Sequence, residues 1–142
     1  MMQGHGDFQV DRDGEIITLI AKGLWNEESS TTCIGLIADQ IANINSENFA
    51  IVADTREVEG LTPGSEALWF QAIQDWFAKG HSAIARIDDP AAITYKAFLK
   101  GFDDYFQERI QFTYAKSMMS GINWARDKGF SGGFQDKEAA FD

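Results

Sequence analysis

The sequence predicts a single α/β domain: a mixed, mostly parallel five-stranded sheet with four helices, in the order ββαβαβαβα. Three observations carry that expectation. Short β-branched or apolar runs alternate with longer segments of helical period. Only the first two runs are close enough to form a hairpin, so the other strands are joined by crossovers and run parallel. The chain of 142 residues is 44% apolar, enough for one domain with a real core.

Residues 8–10 read as a short strand. Asp11-Arg12-Asp13-Gly14 then suits a hairpin turn, and 15–23 (EIITLIAKG) returns as the second strand. Asn26 caps the first helix, with Glu27 and Glu28 at its positive end. Its apolar stripe is Ile34, Ile37, Ile41 and Ile44, and it closes over 43–48. Residues 49–53 form a central strand buried on both faces. A seven-residue acidic turn, 54–60, follows it. Thr62-Pro63 starts the second helix, which stops at Gly80. Residues 82–87 (SAIARI) are the next strand. Asp89 as cap and Pro90 as first helical residue open a third helix reaching Glu108. Residues 110–114 form the last strand, and 117–128 the last helix, with Gly129 as terminator. The domain is therefore expected to span 1–130, with 131–142 a frayed tail.

The formal charge of −10 disfavours nucleic acid and any membrane contact that depends on basic residues. Cys33 stands alone, so no internal disulfide forms. No segment reads as a signal peptide or a membrane span. The expectation is a soluble cytoplasmic protein.

The stretch Asp54-Thr55-Arg56-Glu57-Val58-Glu59-Gly60-Leu61-Thr62-Pro63-Gly64 after the third strand, within the element order above, resembles the SpoIIAA-like group of the STAS superfamily, the anti-sigma-factor antagonists and their relatives. The resemblance covers about 8–130; the last helix with Trp124 matches more weakly. It implies a non-catalytic regulatory or binding module. It also implies a kinship of fold with CRAL-TRIO domains, which hold apolar molecules between sheet and helices. Kinase-switched antagonists carry an Asp-Ser-Ser-Gly run where this chain has Thr62-Pro63-Gly64-Ser65, so the usual acceptor serine is missing. Thr62 and Ser65 are the available hydroxyls. Their simpler roles are N-cap and first-turn residue. A phosphoregulated partner-switch modified near Thr62 or Ser65 is the alternative function.

On the second helix, Leu68, Trp69, Phe70, Ala72, Ile73, Trp76 and Phe77 spread over about 200° where a sheet covers about 100°. On the third, Ala91, Tyr95, Phe98, Leu99, Phe102, Tyr105 and Phe106 form a stripe opposite a solvated face that includes Asp103 and Asp104. Three arrangements account for this excess: the rings are core, the helices part to admit a small apolar ligand, or the surface meets a partner, a second copy or neutral lipid. The candidate ligand or partner site is Trp69, Ile73, Trp76, Phe77, Tyr95, Phe98 and Phe102. Asp54, Arg56, Thr62 and Ser65 are the candidate regulatory loop, with Arg56 tied to a carboxylate. Transient membrane contact is compatible with the rings but not expected.

Familiar catalytic patterns are missing. His5 sits between glycines, and His81 is expected on the surface beside a helix end. Cys33 is expected buried and inert. The pairs Glu57/Glu59, Asp88/Asp89 and Asp103/Asp104 are expected in solvent. No catalytic residue, metal or cofactor is therefore expected.

Overall fold

The computed structural model describes residues 6–132. His5 and most of the expected tail lie outside them. The elements are β1 (Asp7–Asp13), β2 (Ile16–Trp25), α1 (Glu27–Ala42), β3 (Phe49–Leu61), α2 (Pro63–Ala78), β4 (His81–Ile87), α3 (Lys100–Gln107), β5 (Gln111–Ala115) and α4 (Met118–Asp127), with a 3-10 turn at Ala97–Leu99. The sheet runs β1-β2-β3-β4-β5; β1 pairs antiparallel with β2, and all other pairs are parallel. The expected fold class is the observed one.

Strand order equals chain order, so the three parallel crossovers all step the same way. Right-handed crossovers then place α1, α2 and α3 on one face. Their buried residues, among them Ile37, Ile73 and Phe102, pack with Leu19, Ile51 and Ile84 of the sheet. The last helix turns back over the other face, where Met118, Ile122 and Ala125 meet Ala50, Val52, Ala83 and Ala85. Small residues let α4 lie close. A Cβ added at Gly121 would fall 2.6 Å from Val52 Cγ1.

Helix starts follow the sequence closely. Asn26 Oδ1 accepts from Ser29 N at 2.9 Å, and Thr62 Oγ1 from Ser65 N at 3.1 Å, with Pro63 next in line. Four expectations need correction. First, Asp11 to Asp13 are paired strand residues, and the turn is the two residues between Asp13 and Ile16, with Gly14 at φ 60. Second, the acidic turn is strand: β3 continues to Leu61, paired to β2 as far as Trp25↔Leu61. Pairing with β4 ends at Asp54↔Ile87. The ends of β2 and β3 therefore form a two-stranded arm beyond the sheet, with Val58 and Trp25 buried and Leu24 exposed beside the charged Lys22, Arg56, Glu57 and Glu59.

Third, the third helix does not begin at Pro90. Asp89 accepts from Ala91 N at 3.0 Å, and Asp88 from Asp89 N at 2.8 Å, so the two aspartates build a turn rather than a cap. The chain stays irregular until Ala97. A helix through this stretch would separate Tyr95 from Asp103 by about 12 Å along its axis. Instead, the Tyr95 hydroxyl reaches Asp103 at 3.1 Å. Fourth, Ser131 does not fray: its N–H donates to Glu15 Oε1 at 2.8 Å, and its carbonyl accepts from Glu15 N at 2.9 Å.

His81 is also not a surface residue. It is 3% exposed, boxed by Phe49, Trp76, Phe77 and Phe106. Its Nε2 donates to Ala83 O at 3.0 Å, while Nδ1 has no partner. Desolvation pulls its pKa down to about 3, against a backbone hydrogen bond that opposes the shift. An unfolded histidine titrates near 6.5, so the ring's contribution to stability is complete above that pH. It is lost as pH falls toward 3. Unfolding free energy is therefore expected to drop between those values, by up to about 1.4 kcal/mol per pH unit from this ring. NMR of the His81 ring checks it: neutral-form shifts should persist below pH 5, and a midpoint near 6.5 would contradict the box.

Candidate functional site

Between the sheet and the layer of α2 and α3 lies a cavity of about 100 Å³. Its floor is made by alternate, inward-facing strand residues: Leu19 and Ala21 of β2, Ile51 and Ala53 of β3, and Ile84 of β4. Its walls are rings. Trp69 and Trp76 come from α2 beside Ile73, Phe102 and Phe106 come from α3, and Trp25, Val58 and Leu61 close in from the arm. The lining is almost wholly apolar. Thr55, Leu61 and Trp69 are its half-buried members and mark its mouth.

Of the residues expected at a ligand site, Trp69, Ile73, Trp76 and Phe102 line the cavity; Phe77, Tyr95 and Phe98 do not. Phe77 stacks on His81 and on Tyr105. Phe98 is 38% exposed on the 3-10 turn. Tyr95 turns to a polar cluster. The sheet floor and the arm were not anticipated. Their signal was the alternation of Leu19/Ala21 and Ile51/Ala53, with Val58 and Leu61 apolar among charges.

Trp69 is held in place by hydroxyls. Its indole N–H donates to Ser30 Oγ at 3.0 Å, and Ser30 Oγ in turn contacts Ser65 Oγ. Both serines are wholly buried. The Trp69 ring also meets Trp25 and Trp76 edge-on, at centroid distances of 5.9 and 6.2 Å. Of the two hydroxyls considered for modification, Ser65 is thus enclosed. Thr62 donates to Glu27 Oε1 at 2.7 Å, and a Cβ on Gly64 would strike the same carboxylate. Asp54 and Arg56 form an exposed two-pronged pair on the arm, Nε to Oδ1 at 3.0 Å and Nη2 to Oδ2 at 2.8 Å. The expected carboxylate tie exists, but along a strand rather than across a turn.

Beside the cavity sits a buried charge cluster that the sequence reading missed. Arg86, near the end of β4, donates from Nη2 to Asp103 Oδ2 at 2.9 Å and to Asp88 Oδ2 at 3.1 Å. Its Nη1 donates to the Thr55 hydroxyl, and its Nε lies against Asp103 Oδ1 in an ion contact rather than a hydrogen bond. The Tyr114 hydroxyl donates to Asp103 Oδ2 at 2.8 Å, and that of Tyr95 at 3.1 Å. Asp103 is therefore fully buried and Asp88 nearly so, not solvated as expected. Asp104, bound to Lys100 at 2.8 Å, stays on the surface, as do Asp89, Glu57 and Glu59. Burial pulls the Arg86 pKa down, but the hydrogen bonds and charges of Asp103 and Asp88 outweigh it and raise it overall. Burial, followed by the hydrogen bonds with Tyr95 and Asp103, pushes the Tyr114 phenol up. The available signal was a lone arginine inside the run SAIARI, which demands a buried carboxylate elsewhere in the chain.

The Cys33 thiol is buried, and desolvation pushes its pKa to about 12, consistent with an inert group. Among the described residues, no helix is long and apolar enough to cross a membrane. Asp103→Ala is expected to lower unfolding free energy by about 3–5 kcal/mol by stranding Arg86, and Tyr114→Phe by about 1 kcal/mol. Urea melts check both, and a loss under about 1 kcal/mol for Asp103→Ala would show that α3 is not held there.

No family model and no curated protein matches the sequence. Solved structures do. One is an uncharacterised protein of the DUF3478 family with a SpoIIAA-like fold from Shewanella loihica PV-4. It is 12% identical, with TM-score 0.65, over 88% of this chain and 97% of that one. Another is the anti-sigma factor antagonist SpoIIAA in its unphosphorylated form, 12% identical, with TM-score 0.55, over 87% of this chain and 99% of that one. The chain has the SpoIIAA-like fold.

Proposed function

We propose that this protein is a non-catalytic binding and regulatory module whose cavity between sheet and helices takes a small apolar ligand. The observation that supports this reading is the apolar space beneath Trp69, Trp76 and Phe102, left unfilled inside an otherwise packed domain. Its polar neighbours are engaged with one another, and His81 lies outside its lining. No group is therefore presented to a bound molecule for acid–base or nucleophilic work. At about 100 Å³ the space is smaller than drug-sized pockets, so a longer ligand enters only as α2 and α3 part. A protein partner or a second copy of this chain is the other expected binding class. Phe98 and Ile93, both exposed, stand on the segment before α3.

Tryptophan emission on titration with fatty acids, detergents and isoprenoids tests the ligand reading. A shift in emission is expected. Ala53→Leu, which fills the floor, is expected to weaken binding about tenfold while the fold persists. Unchanged emission with every compound would overturn the proposal.

The phosphoregulated alternative is motivated by similarity to an antagonist that exists in an unphosphorylated form. It meets two obstacles, the enclosure of Ser65 and the carboxylate of Glu27 bound to Thr62. After incubation with cell lysate and ATP, the peptide holding Thr62 and Ser65 is expected to be unmodified by mass spectrometry. A phosphate on either residue would reinstate the switch.

A further inference from the structure

We infer that the cavity selects an uncharged hydrocarbon group no larger than a single small ring, and that Trp69, pinned by Ser30, sets the size limit. This deepens the ligand-binding reading above and rests on it. Size comes first. The cavity measures about 100 Å³. An engineered apolar cavity that accepts benzene measures about 150 Å³. One small ring of about five or six carbons is therefore the most that the smaller space holds, and a fused pair of rings exceeds it.

Charge comes second. Arg86 and Thr55 border the cavity but present carbon atoms to it, since their polar ends are committed to Asp103, Asp88 and each other. A carboxylate or ammonium inside would meet no free partner and would lose its hydration. Any polar head therefore stays at the mouth.

The wall comes third. Aromatic walls often swing to accommodate larger guests. Here the indole N–H of Trp69 is bound to Ser30, Ser30 contacts Ser65, and both serines are shut away from water. Turning the indole outward would cost the Ser30 hydroxyl one of its two partners, in a place no water reaches. Trp25 and Trp76 brace the ring from the sides. Ser30 is thus a positioning residue and Trp69 the residue that sets specificity.

Titration calorimetry of the full chain with cyclopentane, cyclopentanecarboxylate, benzene and naphthalene tests this. The wild type is expected to bind cyclopentane about tenfold or more tightly than either naphthalene or the carboxylate. Trp69→Leu is expected to reverse the order in favour of naphthalene. Ser30→Ala, which keeps the ring but frees it, should bring cyclopentane and naphthalene within about threefold. Near-ultraviolet circular dichroism establishes that each variant is folded; should Trp69→Leu not fold, the wild-type ranking and Ser30→Ala decide. A wild type that prefers naphthalene or the carboxylate, or variants that keep the wild-type ranking, would overturn the size-limit inference and leave the ligand reading standing. No binding of any compound would remove both.

Discussion

Two alanines on a sheet floor face rings that are too stiff to fold down onto them. Ala21 and Ala53 leave a gap that leucines would have filled, and the indoles and phenyl rings opposite are planar, with two torsions each. An unfilled space of about 100 Å³ costs about 2 kcal/mol. A domain of this size has only about 5–15 kcal/mol of net stability to set against it. Such a gap persists only if its walls are held by something other than packing.

Two buried polar networks do the holding. At one end, Ser30 and Ser65 join α1 to α2 and fix Trp69. At the other, Arg86 gathers Asp88, Asp103, Tyr95 and Tyr114, and so draws α3 and the irregular segment before it against the sheet. A charge buried in a strand must be neutralised nearby, which is why Asp103 turns inward and why the chain from Asp88 to Tyr95 is not helical. These polar groups bond to one another at the border of the cavity. They flank an apolar space whose mouth lies between Trp69 and the two-stranded arm of β2 and β3.

Elements of clear period were legible in the chain. The isoleucine stripe of α1, the Asn26 and Thr62 caps and the continuous run 49–53 all signal their structure through local chemistry. Failures fell where a distant partner overrides a local signal. Asp54 to Gly60 looks like a turn because charges dominate it, yet pairing with β2 makes it strand. Asp89-Pro90 is a good helix start that loses to the demand of Arg86 for Asp88. His81 follows a glycine in a manner typical of surface loops, but the rings of Phe49 and Phe77 enclose it. Trp69, Ile73, Trp76 and Phe102 were readable as apolar helix positions. The alanine floor and the hydroxyl pins were not, because small residues and serines acquire their meaning only from what stands across from them.

Crystals held under xenon pressure probe the open space most directly, since xenon enters dry apolar cavities without needing a specific partner. A single strong xenon site between Ala53 and Trp69, with the surrounding side chains unmoved, is the predicted result. Absence of xenon there, with Trp69 or Phe102 collapsed onto Ala21 and Ala53, would contradict a cavity held open by its hydrogen-bonded walls.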